Sequence, residues 1–321
     1  MIKKEQLHRF WLWLRWGSYN RVKRFSFDRA ARGILKTPRV RAKDDGCVIV
    51  SLVSHRDLWM YLVSAKSFAH FFQQGRFVVI NDGSLTEGDM RILREQIPEI
   101  EIKQIGDISN TCCPKGGCWE RLLCVSDYVK DHYVIVLDAD MLTQREIPEI
   151  KCCVQQNQSF IMGLKRGQNI QPMKDVWGEE VSLHGKLPLD TVDRLQNVFD
   201  TNMDMIRGFE NFKYLKGSGG FNGFAKGSFV RADVEKFSQS MTAVFGKRWN
   251  DWGTEQIAVC FLIANSQKAC ILPYPKYAIY YANSKVDYMG ASVLHFVGMS
   301  RFKNGFYKGR AVKIIRILSS E

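Results

Sequence analysis

Two aspartates one residue apart, Asp138-Ala139-Asp140, close a short apolar run from Tyr133 to Leu137. Side chains alternate faces along an extended chain, so residues two apart point the same way and both carboxylates project together from one strand end. Two hard anionic oxygen donors at such a point suit a divalent cation of the magnesium or manganese kind. Strand carboxyl ends in α/β sheets are where ligands bind. The same triplet also serves as a turn or helix cap, which stays open as the plainer reading. Two further groups could do chemistry. Gly217-Ser218-Gly219-Gly220-Phe221-Asn222-Gly223 is glycine-dense, which permits positive φ and close approach of backbone to a ligand. Asn222 within it also fits a turn asparagine. Glu255 offers a carboxylate suited to general-base work, whereas the neighbouring Gln256 amide cannot act as a base at neutral pH. Asp251 to Gln256 reads equally as a helix-starting cluster.

The elements that must hold these residues alternate along the chain. Cys47 to Val53 is a strand-like run, Asp57 to Gln73 carries helical apolar spacing, and Arg76 to Ile80 is a second strand ending at the turn residues Asn81-Asp82-Gly83-Ser84. Thr86 to Gln96 reads as helix, Ile100 to Ile105 as strand and Trp119 to Lys130 as helix, followed by the strand that leads to Asp138. Strand and helix in turn give a mostly parallel central sheet with helices on both faces. Ser159 to Leu164 reads as a strand, and Lys165 to Phe212 shows few clear elements, the pattern of a lid or acceptor-binding insertion. Helices are expected at Arg231 to Phe245 and Trp252 to Ala264. No G-x-x-x-x-G-K-[ST] loop occurs, and no G-x-G-x-x-G follows the first strand, which excludes P-loop and dinucleotide-binding readings.

Charge divides the chain into three. Residues 1–46 hold 13 Lys and Arg against 4 Asp and Glu, residues 301–321 hold 6 against 1, and residues 47–300 are close to neutral although the whole carries +13. The expected organisation is therefore a basic segment 1–46, a catalytic domain 47–300 and a basic tail 301–321. Leu7 to Trp16 interleaves four aromatics with His8, Arg9 and Arg15, and Phe302, Phe306 and Tyr307 repeat the theme among the basic residues of the tail. Such composition suits the interface of an anionic membrane. Packing of the aromatics on the domain is the alternative; nucleic acid, whose phosphates and bases would also suit basic and aromatic residues, is not expected as a partner. No apolar run approaches the ~18 residues that span a bilayer. The nine cysteines include the adjacent pairs Cys112-Cys113 and Cys152-Cys153 and no framework spacing, which points to a reducing, cytoplasmic setting. The spacing of Cys112, Cys113, Cys118 and Cys124 departs from that of zinc sites.

The order Asp138-x-Asp140, Phe221-Asn222-Gly223, Glu255-Gln256 and His295-Phe296-Val297-Gly298 resembles the GT-A class of nucleotide-diphospho-sugar transferases, most closely glycosyltransferase family 8, over about residues 47–303. Tyr61 to Ser67 is similar to the helix after that family's first strand. Glu255 replaces the family's Asp, Arg301 stands where Lys is expected, and Phe302-Lys303 replace Pro-Trp. The resemblance implies a GT-A fold and transfer of a hexose from a nucleotide sugar, UDP-linked, to a glycan or glycolipid. It implies that Asp138, Asp140 and His295 hold manganese or magnesium, that Arg121 and Arg301 contact the donor phosphates, and that Leu52, Ser54 and His55 hold the base. It further places Asn222 on donor sugar hydroxyls and Gln256 beneath the anomeric carbon of a retaining enzyme, with Glu255 the general base if the reaction inverts. Arginine fits phosphate through paired N–H donors; His295 without these companions reads as a histidine ending a strand. A sugar-nucleotide-forming nucleotidyltransferase and a noncatalytic membrane- or nucleic-acid-binding protein are the competing classes.

Overall fold

Valine, isoleucine and leucine crowd the runs that become the sheet, because β-branched side chains pack well on a pleated surface buried on both sides. The structure is a computed structural model that describes residues 21–43, 45–298 and 301–320; Leu7 to Trp16 lies outside the described residues. Residues 21–31 are helical (α1). Strands β1 (Cys47–Val53), β2 (Arg76–Asn81), β3 (Glu101–Gln104) and β4 (Tyr133–Leu137) are all parallel to their neighbours among these four. The chain returns between them through α2 (Leu58–Phe72), α3 (Glu87–Gln96) and α4 (Trp119–Tyr128), the crossovers that parallel pairing requires. Thr86 and Asp89 start α3 with a reciprocal capping box.

Past β4 the chain leaves this sheet. β5 (Met141–Thr143) pairs antiparallel with β12 (Val293–His295), which runs parallel to β11 (Tyr277–Ile279), forming a separate three-stranded sheet. Helix α5 (Pro148–Gln155) then returns the chain to the main sheet at β6 (Ser159–Gly163). The interval 165–212 is more regular than its sequence suggests: it holds the two-residue strand β7 (Gln171–Pro172), α6 (Met173–His184) and α7 (Leu195–Thr201), and β8 (Lys213–Tyr214) pairs back with β7. Only Met173 and Val176 of α6 are buried, too thin an apolar side to show as periodicity.

None of the glycines in the glycine-dense segment takes the positive φ that their residue type permits. Gly217–Phe224 forms β9, buried throughout and antiparallel between β4 and β6, so that the full order is β3-β2-β1-β4-β9-β6-β10 with β10 at Ala269–Leu272. A Cβ at Gly223 would run into the Phe160 ring and the Tyr133 hydroxyl, so the strand is glycine-rich to fit between its neighbours. Helix α9 (Thr254–Ala264) covers it, and α8 (Arg231–Phe245) packs against α9 and α4. The final helix, α10 (Phe306–Ser319), buries Tyr307, Ala311, Ile314 and Leu318 in the same core as Phe27 of α1. The Tyr307 ring centroid is 4.4 Å from that of Phe27 and 4.0 Å from that of Phe296. Residues 301–320 are thus a packed layer of the domain, with the Tyr307 aromatic ring turned inward.

Candidate active site

Asp138 and Asp140 converge through a turn between two sheets; strand alternation is not what aligns them. Asp138 N donates to Gly220 O at 2.9 Å, extending the β4–β9 ladder by one residue, and Ser64 Oγ donates to Asp138 O at 3.0 Å. Asp140 O accepts from Phe296 N at 3.0 Å, which fixes the end of β12 beside the turn. Because β5 and β12 pair His295 with Met141, the imidazole reaches both carboxylates. His295 Nε2 lies 3.1 Å from Asp140 Oδ1 and 3.5 Å from Asp138 Oδ2. The donor atoms of these three residues lie within 4.8 Å of one another, and they are the single such group among the described residues. Cys112, Cys113, Cys118 and Cys124 form no comparable cluster.

Two residues of β9 shape this corner. Ser218 Oγ is 3.0 Å from His295 Nδ1, a contact that turns Nε2 toward the aspartates and, with the proton on Nδ1, leaves the Nε2 lone pair available to a cation. Gly220 forms the floor, where any Cβ would strike the Asp138 carboxylate and the His295 ring. Sequence reading singled out neither residue, though both belong to the glycine run that it noted.

Arginines flank the acids. Arg121, 2% exposed on α4, pairs through Nη1 with Asp138 Oδ1, while its Nη2 donates at 3.0 Å to both Gly219 O and Glu255 Oε1. Arg301 pairs through Nη2 with Asp140 Oδ2 and donates from Nε to Phe296 O at 2.8 Å. Burial favours the neutral carboxyl of Asp140, but His295 and Arg301 outweigh it and hold the group below its usual range. Burial likewise disfavours charge on His295, yet Asp140 and Asp138 hold the imidazole above its ordinary value. Glu255 is lifted to about 7: desolvation outweighs Arg121, and the nearby Asp138 charge adds to the rise, because one guanidinium serves two acids.

The remaining candidates lie around this cluster. Gln256, next to Glu255 on α9, donates from Nε2 to Gly217 O at 2.8 Å. Asn222 is fully buried on β9 instead of exposed in a loop, and its Nδ2 donates to Gly219 O at 2.8 Å. At the end of β1, Leu52 is half-buried, Ser54 Oγ donates to Asp57 Oδ2 at 2.7 Å, and the exposed His55 places Nδ1 2.6 Å from Asp89 Oδ2. The structure therefore brings together Asp138, Asp140, His295, Arg121, Arg301 and Glu255, sets Gln256 and Asn222 against the β9 backbone, and ties Ser54 and His55 to the starts of α2 and α3.

No protein-family model matches the chain, and no curated protein matches its sequence. Among solved structures, the apo form of the bifunctional glycosyltransferase WbbM aligns over 85% of this chain at 11% identity with a TM-score of 0.56; the chain spans 50% of the length of WbbM. An active-site mutant of LgtC aligns over 83% of this chain and 94% of its own, at 13% identity and a TM-score of 0.47. Core-mannan synthase A from Aspergillus fumigatus, in an Mn/GDP form, aligns over 74% of this chain and 75% of its own, at 10% identity and a TM-score of 0.40. The likeness to WbbM establishes the architecture: a mixed α/β GT-A fold with a mostly parallel seven-stranded sheet.

Proposed function

We propose that this chain is a divalent-metal-dependent glycosyltransferase that moves a hexose from a nucleotide sugar, UDP-linked in this reading, to a glycan or glycolipid hydroxyl with retention. The observation that carries it is the convergence of Asp138, Asp140 and His295 at the carboxyl end of β4, floored by Gly220. Two carboxylates and an imidazole fit manganese or magnesium, and the nitrogen tilts the choice to manganese. A cation held there supplies Lewis-acid charge opposite the departing diphosphate. Arg121 and Arg301 offer guanidinium N–H groups to phosphate oxygens, and Leu52, Ser54 and His55 border the base at the end of β1. The engagement of Glu255 with Arg121 supports retention over a route with Glu255 as base. Gln256 has its Nε2 engaged by Gly217 O, which leaves its carbonyl oxygen as the electron-rich group for an oxocarbenium-like sugar. Asn222 supports that surface by holding Gly219.

Contact with an anionic membrane, at the cytoplasmic face, belongs to the same reading. Val22 and Phe25 of α1 are 66% and 68% exposed, and Arg29 and Arg32 follow at helical spacing. No helix among the described residues is long and apolar enough to cross a membrane.

Incubation with a panel of radiolabelled sugar nucleotides, with and without manganese, tests the assignment. Metal-dependent donor hydrolysis that is lost in Asp140→Asn supports transfer, and the anomeric configuration of the product reports retention. Diphosphate release from a nucleoside triphosphate would instead mark a nucleotidyltransferase. Cosedimentation with phosphatidylserine vesicles, unchanged in Phe25→Ser/Arg29→Glu, would remove α1 from the membrane contact.

A further inference from the structure

Both acids of the candidate metal site are already neutralised in this structure. Asp138 holds Arg121, and Asp140 holds Arg301. These guanidinium groups are also the ones that the glycosyl-transfer reading directs at the diphosphate, and one N–H cannot serve both. The two arginines differ in freedom. Arg121 has a 3% exposed side chain and is further held by Gly219 O and Glu255. The Arg301 side chain is 22% exposed and is otherwise anchored through Nε to Phe296 O and by a contact with the Met60 sulfur.

We propose that Arg301 is an exchangeable counter-ion that makes the site take a divalent cation and a nucleoside diphosphate as one unit. It neutralises Asp140 until both arrive, then passes from the carboxylate to a phosphate oxygen, turning about its Nε anchor. The inference rests on the glycosyl-transfer reading and goes beyond it, because it fixes how the two ligands depend on each other.

Charge balance argues for the exchange. Asp138 and Asp140 with Arg121 and Arg301 sum to zero, and Glu255 beside Arg121 adds at most one negative charge. A divalent cation entering alone therefore leaves at least one uncompensated positive charge among groups that are largely out of water, which is strongly unfavourable. A diphosphate entering alone faces two carboxylates that have not released their arginines. The diphosphate of a sugar nucleotide carries one negative charge on each phosphate, and a free nucleoside diphosphate carries at least as many, so either offsets the charge that a divalent cation brings. Arginine suits the exchange because its planar fork keeps Nε on a backbone carbonyl while the terminal nitrogens change partner.

The experiment is a manganese titration of the full chain, with unbound ion read by electron paramagnetic resonance, without nucleotide and with uridine or guanosine diphosphate. In the wild type, nucleotide should tighten manganese binding by roughly 5–150-fold, and manganese should tighten nucleotide binding by the same factor, because coupling is reciprocal. Arg301→Gln should bind manganese alone about tenfold more tightly than the wild type, and its coupling should fall by a similar factor. Arg301→Lys, which keeps the charge but not the Nε anchor, should bind manganese alone as the wild type does, and thermal unfolding checks that both variants fold. If Arg301→Gln binds manganese alone no more tightly than the wild type, the exchange is wrong while the transferase reading stands. If neither protein binds manganese even with nucleotide present, the metal site fails, and the exchange with it.

Discussion

Lys66 and Arg121 are both buried cations, each about 3% exposed, and they keep different company. Lys66 Nζ donates to Ile34 O and Thr37 O at 3.2 Å and to Gln96 Oε1 at 2.8 Å, all neutral acceptors. Desolvation with no carboxylate to offset it pushes the ammonium down to about 8. Arg121 has two carboxylates, and although burial opposes its charge, Asp138 and Glu255 keep it firmly protonated. The first arrangement ties the turn at 32–36, α2 and the end of α3 together. The second holds several charges of both signs out of water, a poor way to gain stability, since well-packed apolar residues commonly do as well or better. Such a cluster is better explained by a ligand than by the fold.

If that distinction holds, substitutions in the two regions should separate activity from stability. Asp140→Asn should reduce metal-dependent donor turnover by ~10²–10³-fold with little change in melting temperature, measured by sugar-nucleotide hydrolysis and calorimetry. Lys66→Met should do the reverse: three buried acceptors lose their donor, stability to urea falls by about 1–3 kcal/mol, and turnover per folded molecule is unchanged. Equal loss of activity in both variants would erase the comparison. Ser218→Ala should sharpen it by weakening manganese binding about tenfold through the His295 tautomer, with Ser218→Thr restoring it and urea stability nearly constant. A dependence on pH accompanies these. The folded-state pKa of Lys66, about 8, lies below its unfolded value, so from pH 8 to about 10.5 the folded protein releases that proton first and stability gains at most ~1.4 kcal/mol per pH unit. Urea titrations of the wild type against Lys66→Met should show the gap widening over that window.

Much of this architecture was legible because β1, β2 and β4 are continuous apolar runs, the mark of strands covered on both faces, and because α8 has clear helical spacing. β9 was not foreseen as a strand, for a physical reason. Glycine normally weakens a strand, and here it is present because Gly220 must clear Asp138 and His295, while Gly223 must clear Phe160. The strand's composition reflects its neighbours across the sheet, which a one-dimensional pattern does not contain. The same holds for His295, whose approach to Asp140 depends on a three-residue pairing of β12 with β5 across 155 positions. Arg121 and Arg301 were picked out as phosphate contacts, but their present partners, the aspartates, follow from packing alone. Ser218 carried no signal beyond being the one polar side chain in Gly217–Gly220.

Asp138 extends a strand of the seven-stranded sheet, and Asp140 stands one residue before a strand of the three-stranded sheet. A cation held by both would join the two sheets at this one point, and Phe296, the residue after β12, stacks on Tyr307 of α10. Tyr307 of α10 also meets Phe27 of α1, so the two ends of the described chain close on the layer that carries Asp140.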